Sequence, residues 1–425
     1  MVRLTLLVLS LLTPALCFAE DWPHWRGPHR TDVTTESSGW DGKNWPRKEL
    51  WRTATGDGSS SPIVVDGKVY LMGWKQNRDH LYCLDLKSGK ELWQQSYPCR
   101  PFGRRAVGDQ GQYKGPSSTP EYDADTGYLY TLSTDGDIHC WDTRNSGKKI
   151  WGRNLFDKYT IERRPQVGRS GRRDYGYTTA PLIHKDWLLI EVGAKEGSLM
   201  AFDKRTGKTV WQSEINDPPG HAGGIVPMTV EGVPCVAVFS HSYLMVIRLD
   251  GDRAGKTVAT YPWKTDFSNS IATPAVEDNY VLITSAYNHF AICKLKITLK
   301  GAQKVWQKEL ASGVCSPIIH KGHIYWAWRS VHCLDFQTGQ LKWKGGRFSS
   351  PGSCIVTSDD RLIIWGGRGQ LALAETAERS PDRFRVLAED RKVANDLAWP
   401  HVVLADGKLL CKDRDGRLVC FQVGK

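Results

Sequence analysis

One phrase, written again and again along the chain, limits its possible folds more than any other feature. SGKELW runs from Ser88 to Trp93, SGKKIW from Ser146 to Trp151, TGKTVW from Thr206 to Trp211 and TGQLKW from Thr338 to Trp343, with a weaker copy at Ala254–Ala259. The Gly-Lys pair is not a phosphate loop. That loop needs a glycine five residues earlier, and Phe202 and Asp250 stand there before Gly207 and Gly255. The copies instead mark an internal repeat, which has to be settled before any other reading of fold.

A second phrase sets the period. SSPIVVDGKVYLM (Ser60–Met72), TTAPLIHKDWLLIEV (Thr178–Val192), IATPAVEDNYVLIT (Ile271–Thr284) and CSPIIHKGHIYWA (Cys315–Ala327) share a proline before an apolar run. Pro62, Pro120, Pro181, Pro227, Pro274, Pro317, Pro351 and Pro400 follow one another at 58, 61, 46, 47, 43, 34 and 49 residues. Eight units result, beginning near residues 60, 117, 178, 224, 271, 314, 349 and 398. Within a unit, two β-branched runs flank a tight turn such as Asp66-Gly67, and a third run ends in aspartate. The Gly-Lys corner and a strand closed by tryptophan complete it. Four strands per unit, eight times over, predict an all-β, eight-bladed propeller. The last unit stops at LVCFQVGK without its tryptophan strand, and a spare copy, Leu50-Trp51-Arg52, precedes the first unit. The N-terminal strand is therefore expected to close the eighth blade and leave no open sheet edge. The recurring tryptophans are expected to wedge between units.

The ends and the composition bound the setting. Residues 1–19 carry Arg3, an apolar run from Leu4 to Leu16 and Cys17-Phe18-Ala19, the pattern of a signal peptide cleaved after Ala19. The mature domain would then be 20–425, exported to the periplasm or envelope, with no transmembrane span. Lipidation at Cys17 is the second reading, disfavoured by Leu16 where a small residue is usual. The net charge of +11 becomes +10 without Arg3, and export turns it from nucleic acid toward an envelope protein or acidic polymer as partner. Ten cysteines remain, without a CxxC or an adjacent pair. Cys83, Cys140, Cys333 and Cys420 recur in one context (LYCLD, IHCWD, VHCLD, LVCFQ), as small packing residues would.

The SPxxxDGxxY and LDxxTGKxLW phrases resemble the repeat of pyrroloquinoline-quinone (PQQ) type β-propellers. That group includes quinoprotein alcohol dehydrogenases, and also the non-enzymatic outer-membrane assembly factor BamB. The opening DWPHWRGPHRTDV looks like that of exported members of the group. The dehydrogenase resemblance implies PQQ on a tryptophan floor, Ca²⁺ held by Glu and Asn oxygens, an aspartate base and a vicinal disulfide. This sequence departs from it: it has no Cys-Cys and no haem motif, and its nearest candidates, Glu191, Asp266, Asn269 and Asn288, are scattered. Nor does it carry HExxH or a GxSxG elbow, so no catalytic, cofactor-binding or metal residue is assigned. The expected function is a monomeric, non-enzymatic binding or scaffolding protein of BamB type, with no cofactor. The alternative is a PQQ- and calcium-dependent oxidoreductase. Function is expected on two long connections, 98–116 and 156–176, which would emerge on one face. Their candidate partner-binding residues are Arg104, Arg105, Tyr113, Arg163, Arg164, Arg172, Arg173 and Tyr175, with Tyr177 directly after.

Overall fold

The computed structural model describes residues 20–46, 48–103, 112–162, 174–266 and 269–424. They form eight antiparallel blades in a ring. The first blade is Ile63–Val65, Lys68–Lys75, Arg78–Asp85 and Glu91–Pro98, ordered from the channel outward. The inner strands of the next seven are Glu121–Asp123, Leu182–His184, Val226–Val230, Ala275–Glu277, Ile318–His320, Gly352–Val356 and Val403–Ala405. In the sixth blade the two middle strands run together as His323–Asp335, turned at Arg329 (φ +63°). No helix among the described residues is long and apolar enough to cross a membrane.

The repeat prolines fall at the start of the innermost strands, and Pro227 lies inside one. An innermost strand has one unpaired edge facing the channel, so it tolerates a residue without an N–H. Middle strands such as Lys68–Lys75 and Arg78–Asp85 are buried almost throughout, because each blade packs against a neighbour on both faces. Outer strands such as Glu91–Pro98 are half-buried to exposed.

The repeated corner is a latch between blades. In three copies the aspartate accepts from the turn, with Asp85 taking Ser88 N at 2.7 Å and Asp203 and Asp335 taking Thr206 N and Thr338 N at 2.7 Å. The following glycines, Gly89, Gly207 and Gly339, sit at φ +69°, +66° and +68°. The previous blade's tryptophan lies on each of these glycines. A Cβ at Gly207 would be 2.7 Å from the Trp151 ring, and one at Gly89 would be 2.5 Å from Trp51. The indoles also donate to the turn, Trp51 to Leu86 O (2.9 Å) and Trp151 to Lys204 O (3.1 Å). Both constraints select glycine, so Gly207→Ala is expected to cost about 2 kcal/mol in urea denaturation. A change below about 0.5 kcal/mol would show that the latch yields freely.

Trp51 also confirms the ring closure. Lys48–Ala54 pairs with Arg417–Gln422 and completes the eighth blade. The cysteine recurrence has a packing cause. Cys83, Cys140, Cys333 and Cys420 each stand directly opposite a blade tryptophan: Trp93, Trp151, Trp343 and Trp51. A small side chain there leaves room for the indole. All ten cysteines in the described residues are buried and free. Burial pushes the Cys83, Cys333 and Cys420 thiols up to about 12, far from nucleophilic.

Candidate functional site

The N-terminal run Asp21–Ser38 closes one end of the channel. Trp22 exchanges backbone hydrogen bonds with Val64 in blade 1 (2.8 and 2.9 Å), and Pro23 O accepts from Tyr122 N in blade 2 (3.3 Å). Thr34 N donates to Val356 O in blade 7 (3.0 Å). The Glu36 carboxylate accepts from Asp406 N and Gly407 N in the first turn of blade 8 (3.0 Å each). Arg26, 1% exposed, reaches between blades 5 and 6, donating to Pro274 O (3.0 Å) and Pro317 O (2.7 Å). Its guanidinium also binds the buried Asp32 carboxylate, and Arg30 binds the buried Glu121. Burial alone would raise both acids. Arg26 and His401 outweigh it and hold Asp32 below the usual range, and Arg30 and His24 bring Glu121 down to about 2.

From this plug Trp25 points into the channel as a floor. Its indole donates to Thr273 Oγ1 (3.1 Å), and its ring lies against the backbone of Gly223 and Gly224, where a Cβ would be 2.3 and 2.4 Å from it. Above it is a cavity of about 400 Å³ to which every blade contributes a residue at or near the start of its inner strand. Ser59, Ser117, Thr178, Ser316 and Ser353 supply hydroxyls. Four rings form an arc at the mouth: Trp399 to Tyr113 (5.5 Å between centroids), Tyr113 to Tyr175 (5.8 Å) and Tyr175 to His221 (4.7 Å), all edge-to-face. No carboxylate, lysine or arginine is among the described lining residues. His401 also lines the wall, but Nδ1 meets Val402 O (2.7 Å) and Nε2 meets Asp32 Oδ1 (3.1 Å). Neither nitrogen is left to act as a general base.

Of the residues expected from the sequence, Tyr113 and Tyr175 come together here although they belong to different connections. Tyr177 does not join them. It is 2% exposed and donates its hydroxyl to Val192 O (2.8 Å), because Gly176 (φ +73°) turns the chain inward before it. Arg104, Arg105, Arg163, Arg164, Arg172 and Arg173 lie outside the described residues. The sequence reading missed Trp25, His221, Trp399 and His401. One signal was available: Ser59, Ser117, Thr178, Ile271 and Val314 each stand three residues before a repeat proline, and all line the cavity.

The calcium and quinone of the dehydrogenase resemblance can be tested against these residues. Calcium needs about six oxygen ligands, usually with carboxylates among them. Asn269 lines the cavity, but Glu191 accepts from Thr179 Oγ1 (2.5 Å) and Gly220 N (3.0 Å), and Asp266 takes Asn288 Nδ2 (2.7 Å). The described residues hold no cluster of three or more His, Cys, Asp or Glu able to bind a metal. PQQ is a tricarboxylate, and the described lining offers it no cation. These residues do not fit that pair.

Comparison with known proteins finds the repeat in both branches. A family model described as outer membrane protein assembly factor BamB matches residues 77–345. The quinone-type alcohol dehydrogenase subunit of Gluconobacter oxydans is 30% identical over 178 residues, which is 40% of this chain and 21% of that protein. The chain thus spans about a fifth of the length of such curated relatives. Among solved structures, BamB of Moraxella catarrhalis aligns with a TM-score of 0.57 at 13% identity, covering 88% of this chain and 99% of that one. The quinohemoprotein alcohol dehydrogenase of Comamonas testosteroni aligns at 0.64 and 13%, covering 95% and 81%. At such identities the likeness is one of fold.

Proposed function

The chain belongs to the family of the outer membrane protein assembly factor BamB, and from that membership and the shape of its channel we propose a non-enzymatic binding protein of the cell envelope. One observation carries this reading. The channel is floored by Trp25 and walled by rings and hydroxyls, with no carboxylate, lysine or arginine among the described lining; His401 has both nitrogens engaged, and His221 Nε2 accepts from Tyr175 N (3.4 Å). Such a wall can hold and orient a ligand, and it presents no carboxylate base and no fixed positive charge to a reacting centre. The apolar run Leu4–Leu16 supports export. The long connections, whose Tyr113 and Tyr175 stand at the mouth, would bring their arginines to an acidic partner there.

The test is a titration of residues 20–425 with PQQ, with and without Ca²⁺, followed by quinone absorbance and melting temperature. The expected result is no calcium-dependent, stoichiometric binding. Tight binding that needs calcium would replace this proposal with the oxidoreductase reading and send the work to alcohol substrates.

A further inference from the structure

We infer that Cys315 and Cys354 are the two halves of a disulfide that joins blades 6 and 7 behind the wall of the channel. The residues stand 39 apart in the chain, yet their sulfurs lie 3.6 Å from one another. Cys315 precedes the inner strand of blade 6, and Cys354 lies inside that of blade 7, Gly352–Val356. Both are almost fully covered, at 2% and 1% exposure. Neither is one of the four cysteines that face a blade tryptophan, so the packing reason for a small residue there does not account for them. Their chain neighbours Ser316 and Ser353 line the cavity, which places the pair directly behind its wall. The inference holds whatever the channel binds.

The surroundings hold the two sulfurs toward each other. Ala327 N, on the next strand of blade 6, donates to Cys315 Sγ (3.3 Å). Beside each cysteine a serine is tied to a neighbouring blade, Ser316 Oγ accepting from Thr273 N (3.0 Å) and Ser353 Oγ from Val402 N (3.1 Å). Bonded sulfurs stand about 2.05 Å apart, so the pair has to close by about 1.5 Å, which rotations of the two side chains can share. The chemistry is a two-electron oxidation by a small disulfide such as oxidised glutathione. One cysteine thiolate attacks the oxidant, whose other sulfur leaves as a thiolate. The second cysteine then attacks the protein sulfur of the mixed disulfide, forming the Sγ–Sγ bond and expelling the remaining half. The two protons of the cysteines end on the two released thiols. Inside the closed ring this exchange is slow, because the hydrogen bond to Cys315 and burial hold the Cys354 thiol well above its usual value. The bond is therefore made while blades 6 and 7 assemble, and export, as proposed above, would supply the oxidising compartment. It then closes a covalent loop around the whole of blade 6.

The experiment unfolds residues 20–425 in urea with reductant and refolds them in a buffer of oxidised and reduced glutathione. Free thiols are then alkylated under denaturing conditions, and the chain is digested without reductant and read by mass spectrometry. The expected result is a peptide pair linked through Cys315 and Cys354, at least tenfold more abundant than any other linked pair, with the remaining eight of the ten cysteines alkylated. In Cys315→Ala the Cys354 thiol should become fully alkylated, with no new linkage. Should the chain not refold, the same digest of protein secreted behind a bacterial export signal decides the question. Full alkylation of both residues in the oxidised parent overturns the inference, and so does Cys354 linked to a different cysteine.

Discussion

Arg26→Ala is expected to destabilise the chain by about 3–5 kcal/mol. The substitution removes the charge that lies between the plug and blades 5 and 6, and leaves Asp32 buried with only His401 opposite. Two inter-blade carbonyls, Pro274 O and Pro317 O, lose their donor in the same step. Taking the double variant Arg26→Met with Asp32→Leu should recover much of the loss, since the penalty comes from stranding one charge rather than from lacking the pair. The Asp32 carboxyl is held below its unfolded value, so its contribution is present at neutral pH and fades as pH falls through the folded value. Urea midpoints of the three proteins at pH 7 check this. A single variant within about 1 kcal/mol of the parent would mean that the plug is held by its backbone bonds alone.

Asp79→Asn is expected to act in the opposite direction and mainly at higher pH. Asp79 is 1% exposed in blade 1, and its carboxyl oxygens have no hydrogen-bond partner of good geometry. Burial pushes the group up to about 7, more than the nearby Cys99 thiol and Tyr97 hydroxyl offset, and the Asp137 and Asp135 carboxylates add to the rise. With a folded value above the unfolded one, the native state holds a proton that the unfolded chain has released. The resulting penalty is absent below about pH 4 and grows to about 4 kcal/mol by pH 8. An asparagine carries no charge to bury, although its amide still wants partners. Stability curves of the two proteins should therefore converge near pH 4 and separate by about 2 kcal/mol or more at pH 8, with the variant above. Parallel curves across that range would refute a proton held at Asp79.

Both predictions concern residues that no repeat phrase marks. Arg26 and Asp32 sit in DWPHWRGPHRTDV, which occurs once, so no second copy drew attention to its packing. Asp79 belongs to a repeated strand, yet its burial follows from Tyr97, Cys99 and the turn at Asp135–Asp137 of the next blade. The candidate site divides in the same way. Tyr113 and Tyr175 could be picked out because the connections that carry them lengthen two spacings. Tyr177, two residues further on, could not be told from its neighbour, because which side of Gly176 faces inward is a matter of backbone direction.

Blade number, strand order, ring closure and the tryptophan wedges between blades were determined by the sequence alone. Each is a local rule repeated at a fixed period, and repetition makes a weak local signal strong. The floor of the channel, the arc of rings above it and the buried Arg26–Asp32 pair were decided only by the tertiary structure. Closing a ring brings together single residues from eight blades and from a segment outside all of them. Trp25 and the Arg26–Asp32 pair occupy no recurring position of the repeat, so their contacts leave no periodic trace. They exist because the circle has one centre, and the side chains that fill it are set by shape and charge around that axis.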